Sequence, residues 1–417
     1  EAAVVLNTEA LGIGALDAPT DLYVTDGGEI FILDAGNDRV VVLDKDFQAD
    51  RVIVPKDEEG EPLDFKNPAG ISVCSDGTIL ICDRKGKAVY ILDEAGNQLR
   101  KVEKPESSIL PKNFQFQPVK AEMDSGGILY VVSSGSYSGA LQFDVDGSFM
   151  GFFGANKVEV TADVLFSYMW KSILSDEQRA AMTSILPIEY SNVDCGADGF
   201  VYTSTVGTQL PKSQVKKLNP LGNNVYFAVG NEEFNFGDEE ITYNKTTPNY
   251  PSFIDVKVDA DGFIFAIDLT SSRIFVRDQE ANLISVFGGY GQQTGTFNTP
   301  VAVECRGDRV YVLDRLKNNI TVFEPTEYGA LVRQAVLAYD AGHYSEAEVL
   351  WKQVLQRNAN SVLAYNGIGK ALAQENRYDE AMQYLRLSGD RYSYSRSFGK
   401  NRLELVRNYG LYAIGGI

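Results

Sequence analysis

Along the first three quarters of the chain, apolar residues gather in short runs bounded by Gly, Asp, Asn and Pro, the pattern of buried strands rather than helices. The clearest unit reads Phe253-Ile254-Asp255-Val256-Lys257-Val258, Asp261-Gly262, Phe263-Ile264-Phe265-Ala266-Ile267-Asp268, then Arg273-Ile274-Phe275-Val276, with Leu283 to Phe287 as a fourth strand. The Asp-Gly pair predicts a tight hairpin, both residues tolerating positive φ. Sliding this unit along the chain finds six copies, anchored on the residue that ends the second strand: Asp34, Asp83, Ser133, Thr205, Asp268 and Asp314. Steps of 49, 50 and 46 residues suit one four-stranded blade, and steps of 72 and 63 imply insertions. Six such units predict an all-β six-bladed propeller over residues 1–325. The last copy, Pro300 to Phe323, supplies only three strands. The lone strand Ala2–Leu6 is expected to complete it, removing an exposed edge and locking the ring.

The periodicity changes twice. From Thr161 to Ile185 it becomes helical, with Phe166 and Trp170, then Met169 and Ile173, spaced by four, and Ser175 with Gln178 forming a capping box. A helical insert over about residues 156–187 is therefore expected between blades three and four. Blade four is expected to run from Ser191 to Val229, with Lys212–Leu221 replacing its usual tight connection. After Pro325 the strands stop. Tyr344, Ala347 and Trp351 recur 34 residues later as Tyr378, Ala381 and Leu385, and the small residues would let paired helices approach closely. Residues 326–417 then form an all-α domain of two repeats. Leu331–Tyr339 and Ser361–Leu372 line a short groove suited to a peptide or helix, unless the stack serves mainly to space the propeller from an anchor, and a helix over Ser393–Tyr409 caps the stack.

Lys and Arg total 38 against 57 Asp and Glu, a net charge of −19, and no basic stripe offsets it. That excludes nucleic acid as a partner and repels anionic bilayers. The four cysteines, Cys74, Cys82, Cys195 and Cys305, read as buried free thiols rather than a disulfide framework. The acidic stretch Asn231–Tyr243 is broken by Phe234 and Phe236 and lacks the alternating oxygen ligands of a calcium loop.

The blade pattern, proline, apolar strand, Asp-Gly, strand ending in Asp, polar loop and Arg, resembles the NHL repeat, most clearly in Pro19–Leu43, Pro251–Phe287 and Thr299–Phe323. The 34-residue step resembles the tetratricopeptide (TPR) repeat. Together they resemble a group of bacterial exported proteins in which both modules are held at the membrane by a following hydrophobic domain, often encoded near sugar transporters. The resemblance implies an extracytoplasmic, membrane-associated binding or scaffolding module for a protein or carbohydrate ligand. It also implies an export signal before Glu1 and a membrane tether beyond the apolar run Leu411–Ile417.

Candidate site residues follow from this reading. Tyr23, Tyr130, Tyr202, Tyr290 and Trp170 are candidate rings for stacking on a sugar face, although any of the tyrosines could equally pack between blades. Asp34 with Arg39, and Asp268 with Arg273, recur at a step of five and are expected to bridge a hairpin loop structurally. The amidating-lyase and streptogramin-lyase propellers depend on histidines. This chain has only His343, outside the propeller, so no histidine metal site or base is available there. No catalytic residue, metal or cofactor is assigned. The alternative is a calcium-dependent hydrolase resembling gluconolactonase, in which Asp21, Asp194 or Asp255 on first strands would point at the axis.

Overall fold

The computed structural model describes residues 1–9, 11–111, 114–154, 189–206, 212–228, 230–237, 242–244 and 247–415, with backbone alone for 242–244, 247–249 and 408–415. Six antiparallel sheets form a closed ring, five of them built from strands consecutive in sequence and the sixth joining the first strand to the last three. The second strands are the most apolar, and every residue of Ile30–Asp34, Ile79–Asp83, Leu129–Ser133, Val201–Thr205 and Ile264–Asp268 is buried. Outer strands such as Ala49–Ile53 and Gln98–Val102 alternate between half-buried and exposed before a buried last residue, as one free face requires. In the first hairpins only glycine takes positive φ, as at Gly77 (φ 87°), while Asp76 accepts the Thr78 N–H. Aspartate caps that turn rather than sharing its backbone conformation.

The ring closes as expected. Ala2–Leu6 pairs antiparallel with Asn319–Phe323, with Val4 opposite Val322 and Leu6 opposite Ile320. The Glu1 ammonium donates to the Glu324 carbonyl at 2.6 Å.

The anchor residues have a common task. Five of the six accept, through the side chain, a backbone N–H from the segment that leads into their own blade, while the Thr205 hydroxyl donates to the Gln214 carbonyl at 2.9 Å. Asp17 donates to Asp34, Lys66 and Asn67 to Asp83, Gln117 to Ser133, Ser252 to Asp268, and Asn298 and Thr299 to Asp314. A buried carboxylate stapling the start of a strand to the end of the next explains why Asp recurs and why Ser can replace it. Asp34 also binds Arg39 Nε at 2.7 Å, the expected loop bridge. Asp268 opposes Arg273 in register and is held by the Thr270 and Ser271 amides, while the Arg273 guanidinium lies over the Phe275 ring.

Blade four departs from expectation. It holds Tyr190–Cys195, Val201–Thr205 and Val215–Leu218, so Lys212–Leu221 contains the third strand instead of replacing a connection. Among the described residues it has no fourth strand. Tyr226 and Phe236 are buried beside blade five instead, Phe236 packing edge-on to Phe253 at 5.1 Å. The helical insert, with Trp170, lies outside the described residues.

Five helices follow: α1 Glu327–Asp340, α2 Tyr344–Arg357, α3 Val362–Gln374, α4 Tyr378–Ser388 and α5 Arg391–Gly415. Thr326 and Ser361 cap α1 and α3 by accepting the Gly329 and Ala364 N–H groups. Ala347 and Ala381 are fully buried, and a Cβ on Gly367 would lie 2.3 Å from Trp351, so small residues do set the helix spacing. The groove of the first helices is not open. Lys370 on α3 pairs with Glu280 of blade five at 2.8 Å, and Arg333 on α1 pairs with Asp259 at 2.7 Å. Leu331, Val332 and Val336 share one core with Phe263, Phe265 and Val310 of the propeller. The propeller therefore occupies the face expected to receive a peptide. The last helix runs on to Gly415, taking up most of the apolar run, and Leu403, Leu405 and Val406 on it are exposed, so it caps the stack only through its first turns. Among the described residues no helix is long and apolar enough to cross a membrane. All four cysteines are free; Cys82 and Cys305 are buried, whereas Cys74 and Cys195 are only partly so.

Candidate functional site: a charged axis beneath an open cup

The first strand of each blade lines the axis: Asp21–Val24, Pro68–Val73, Pro118–Met123, Tyr190–Cys195, Phe253–Val258 and Pro300–Arg306. Strand alternation aims every second residue inward, and the pairing register sorts these into two tiers. Asp21, Gly70, Lys120, Asn192, Asp255 and Ala302 form the tier nearer the anchors. Tyr23, Ser72, Glu122, Asp194, Lys257 and Glu304 form the tier nearer the first hairpins. Gly70 is required where blades two and three meet, because a Cβ there would lie 2.3 Å from the Val119 carbonyl oxygen.

Charges in this interior are matched mostly to one another. Lys120 Nζ binds Asp21 Oδ2 at 2.7 Å and the Ile71 carbonyl at 3.0 Å. Lys257 Nζ binds Asp194 at 2.8 Å, approaches Glu304 at 3.4 Å and sits 5.1 Å from the Tyr23 ring centre. Asp21, Asp194 and Asp255 also reach across blade boundaries to the N–H groups of Ile71, Val258 and Val303. Asn192 donates to Asp255. These carboxylates therefore staple neighbouring blades. Burial pushes the Asp255 carboxyl up to about 7 against the pull of Lys120, and pushes Glu304 up to about 8 against Lys257. Burial opposes the charge on Lys257, but Asp194 and Glu304 outweigh it and hold the ammonium above its ordinary value.

Above the second tier the channel widens into a cup of about 690 Å³ at the first-hairpin face. Its wall carries Tyr23, Ser72, Cys74, Glu122, Asp124 and Lys257, and its lip carries Asp26, Asp76 and Arg306. Asp259, held by Arg333 of α1, belongs to the same wall, so the helical domain braces one side of the rim.

The expected aromatic residues do not converge. Tyr23 lines the cup, with burial raising its phenol far above the ordinary range. Tyr130 reaches the cup wall but is buried, its hydroxyl donating to Asp124 at 3.3 Å. Tyr202 is fully buried, donating to Asp198 at 2.9 Å. Both lie on second strands, three residues before an anchor, where the side chain packs between blades. Tyr290 is 78% exposed, in the connection between blades five and six. Asp21, Asp194 and Asp255 do face the axis, but lysines and backbone amides hold them. Among the described residues no group of three His, Cys, Asp or Glu side chains is arranged to hold a metal.

The tetratricopeptide repeat family matches residues 338–391. The chain is a six-bladed β-propeller followed by a TPR-like helical region. No curated protein matches the sequence. Solved structures similar to it include a Bacteroides thetaiotaomicron protein of unknown function, at 14% identity over 75% of this chain and 70% of that one, with a TM-score of 0.48. Kuenenia stuttgartiensis hydrazine synthase is similar at 11% identity over 75% of this chain and 97% of that one, TM-score 0.46. Staphylococcus aureus virginiamycin B lyase is similar at 11% identity over 74% and 80%, TM-score 0.43.

Proposed function

We propose that this chain is a non-catalytic binding module whose ligand seat is the axial cup, the helical domain acting as a brace and spacer. One observation carries the reading: the cup is open and lined by six inner hairpins, while the aspartates beneath it are committed to Lys120, Lys257 and backbone amides. A hydrolase built on axial calcium needs those oxygens free for the metal; here an ammonium group takes the cation's place twice. The partner is a protein or carbohydrate, and the module works outside the cytoplasm, tethered to the membrane in the full-length protein. The resemblance to NHL/TPR proteins supports that location.

Ser75 and Ala260 are exposed on opposite sides of the lip, so Ser75→Trp and Ala260→Trp narrow the mouth without entering the core. A glycan array and a pull-down with wild type should give a ligand that both variants lose, with no lactone turnover and no effect of chelator. Chelator-sensitive turnover, or a ligand indifferent to both tryptophans, would overturn the reading.

A further inference from the structure

Glu122 is left over from the axial network. It lies on blade three, flanked in its tier by Ser72 and Asp194 and opposite Glu304, while Lys257 sits across the ring between the other two acids. Its side chain is 7% exposed and lines the cup, yet it makes no hydrogen bond or ion pair to any described residue. The two tiers together hold Asp21, Glu122, Asp194, Asp255 and Glu304 against Lys120 and Lys257, an excess of three acids of which two fall on the cup side. Asp26, Asp76 and Asp124 add to it at the lip and wall.

We propose that the cup takes a protonated primary amine and seats it against the Glu122 carboxylate. This rests on the cup being the ligand seat and adds the ligand's chemical class. A buried carboxylate without a partner is costly, and a partner that supplies only a neutral hydroxyl leaves the charge uncompensated. An ammonium supplies both charge and three donors in a compact head. Metal is the weaker fit, since no second and third ligand stand with Glu122 among the described residues. Of the cup's own cations, Lys257 is held by Asp194, and Arg306 donates its Nε–H to the Asp26 carbonyl at 2.9 Å. The raised affinity of Glu122 for a proton, which burial causes and which Lys257 only partly offsets, is the same deficit seen from the acid's side.

The source of the amine is separated by paired probes in calorimetric titrations at pH 8. Nα-acetyl-lysine methylamide is compared with its Nε-acetylated twin, and glucosamine with glucose. At least one amine should bind, with its neutral twin about tenfold weaker or worse, and the pair that discriminates names the source. Glu122→Gln should lower the amine's affinity at least tenfold while leaving Tm equal or higher, since it removes an uncompensated buried charge. Ser125→Lys, on the exposed hairpin of the same blade, supplies a competing ammonium from outside the core and should weaken binding similarly. Amines and neutral twins binding alike, no binding of either amine to wild type, or an unchanged affinity in either variant would overturn the assignment. Loss of the captured ligand in the tryptophan lip variants tests the cup itself, independently of these results.

Discussion

Lys120 is the side chain on which the anchor-side tier depends, and replacing it by Met isolates its charge while keeping most of its length. The pair with Asp21 is 2.7 Å long and both side chains are less than a tenth exposed. At an effective dielectric of 20 that separation is worth about 6 kcal/mol of attraction. Part of it is returned because Met need not be desolvated, so a net loss of about 3–5 kcal/mol is expected at pH 8, the usual cost of orphaning a buried partner. The penalty should depend on pH in a defined sense. Asp255 already has a folded-state pKa raised to about 7, so its contribution to stability is complete in acid and lost as pH rises through 7. Without Lys120, Asp255 moves further up and is protonated over a wider range. The difference between wild type and Lys120→Met should therefore shrink on going from pH 8 to pH 5, by up to about 1.4 kcal/mol per pH unit for each carboxyl newly protonated. Urea unfolding at both pH values, followed by tryptophan fluorescence and far-UV circular dichroism, measures it. Adding Asp21→Asn should recover part of the loss at pH 8. Equal midpoints at pH 8, or a penalty that grows toward acid, would refute the claim that this tier is held by charge.

Other expectations follow from the same geometry. Deleting residues 1–8 removes the ladder to Asn319–Phe323 and the burial of Leu6, a loss of roughly 4–7 kcal/mol, and should lower Tm by several degrees; unchanged melting would remove the closure claim. Glu304→Gln replaces a carboxyl whose folded pKa is raised to about 8, so it should flatten the fall in wild-type stability between pH 5 and pH 8; an unaltered slope would place that fall elsewhere. Arg333→Met should loosen the helical domain from the rim, seen as faster amide exchange in α1 with little change in blades one to three. Amine binding should weaken as pH drops below 7, because burial, with Asp194 and Asp21 and against Lys257 and Lys120, raises Glu122 to about 7, while Glu304 opposite it, raised to about 8, takes up its own proton first; affinity constant from pH 8 to pH 5 would contradict this.

The ring, its closure and the helical repeats were legible because each rests on spacing: anchors at near-constant steps, one strand missing at one end and one spare at the other. The third strand of blade four was missed because Val215-Lys216-Lys217-Leu218 has the polarity of a loop; Lys217 gains its place through Asp198 at 2.7 Å, Gln279 at 2.6 Å and the Phe200 ring at 4.2 Å, all distant in sequence. Of the tyrosines, Tyr130 and Tyr202 pack between blades, which residue type alone could not tell apart from facing the cup, since it does not say which way a residue on a strand points. Asp21, Asp194 and Asp255 were expected to face the axis, but the lysines that hold them and the glutamates beside them were missed for a related reason. Acidic and basic residues on a strand are ordinarily assigned to solvent, yet Asp21, Lys120, Asn192 and Asp255 each stand thirteen residues before an anchor and Tyr23, Glu122, Asp194 and Lys257 eleven before. That fixed offset was available in the sequence and marks the axis. Glu122 remained beyond reach even so, because its lack of a partner is a property of the neighbours assembled around it.

The closure strand also orders events in time. Ala2 finds its place beside Phe323, so the strand Ala2–Leu6 cannot dock until the last blade of the ring exists. Closing a loop of that span costs only about 5 kcal/mol of chain entropy, since the cost grows with the logarithm of length. Local hairpins within each blade can form well before then. Blade six meanwhile presents the free edge of Asn319–Phe323, a template for any passing strand until the chain's own beginning arrives. Assembly of the ring is thus exposed to mispairing at one place and for one interval, and a chain lacking its first residues would prolong that interval indefinitely.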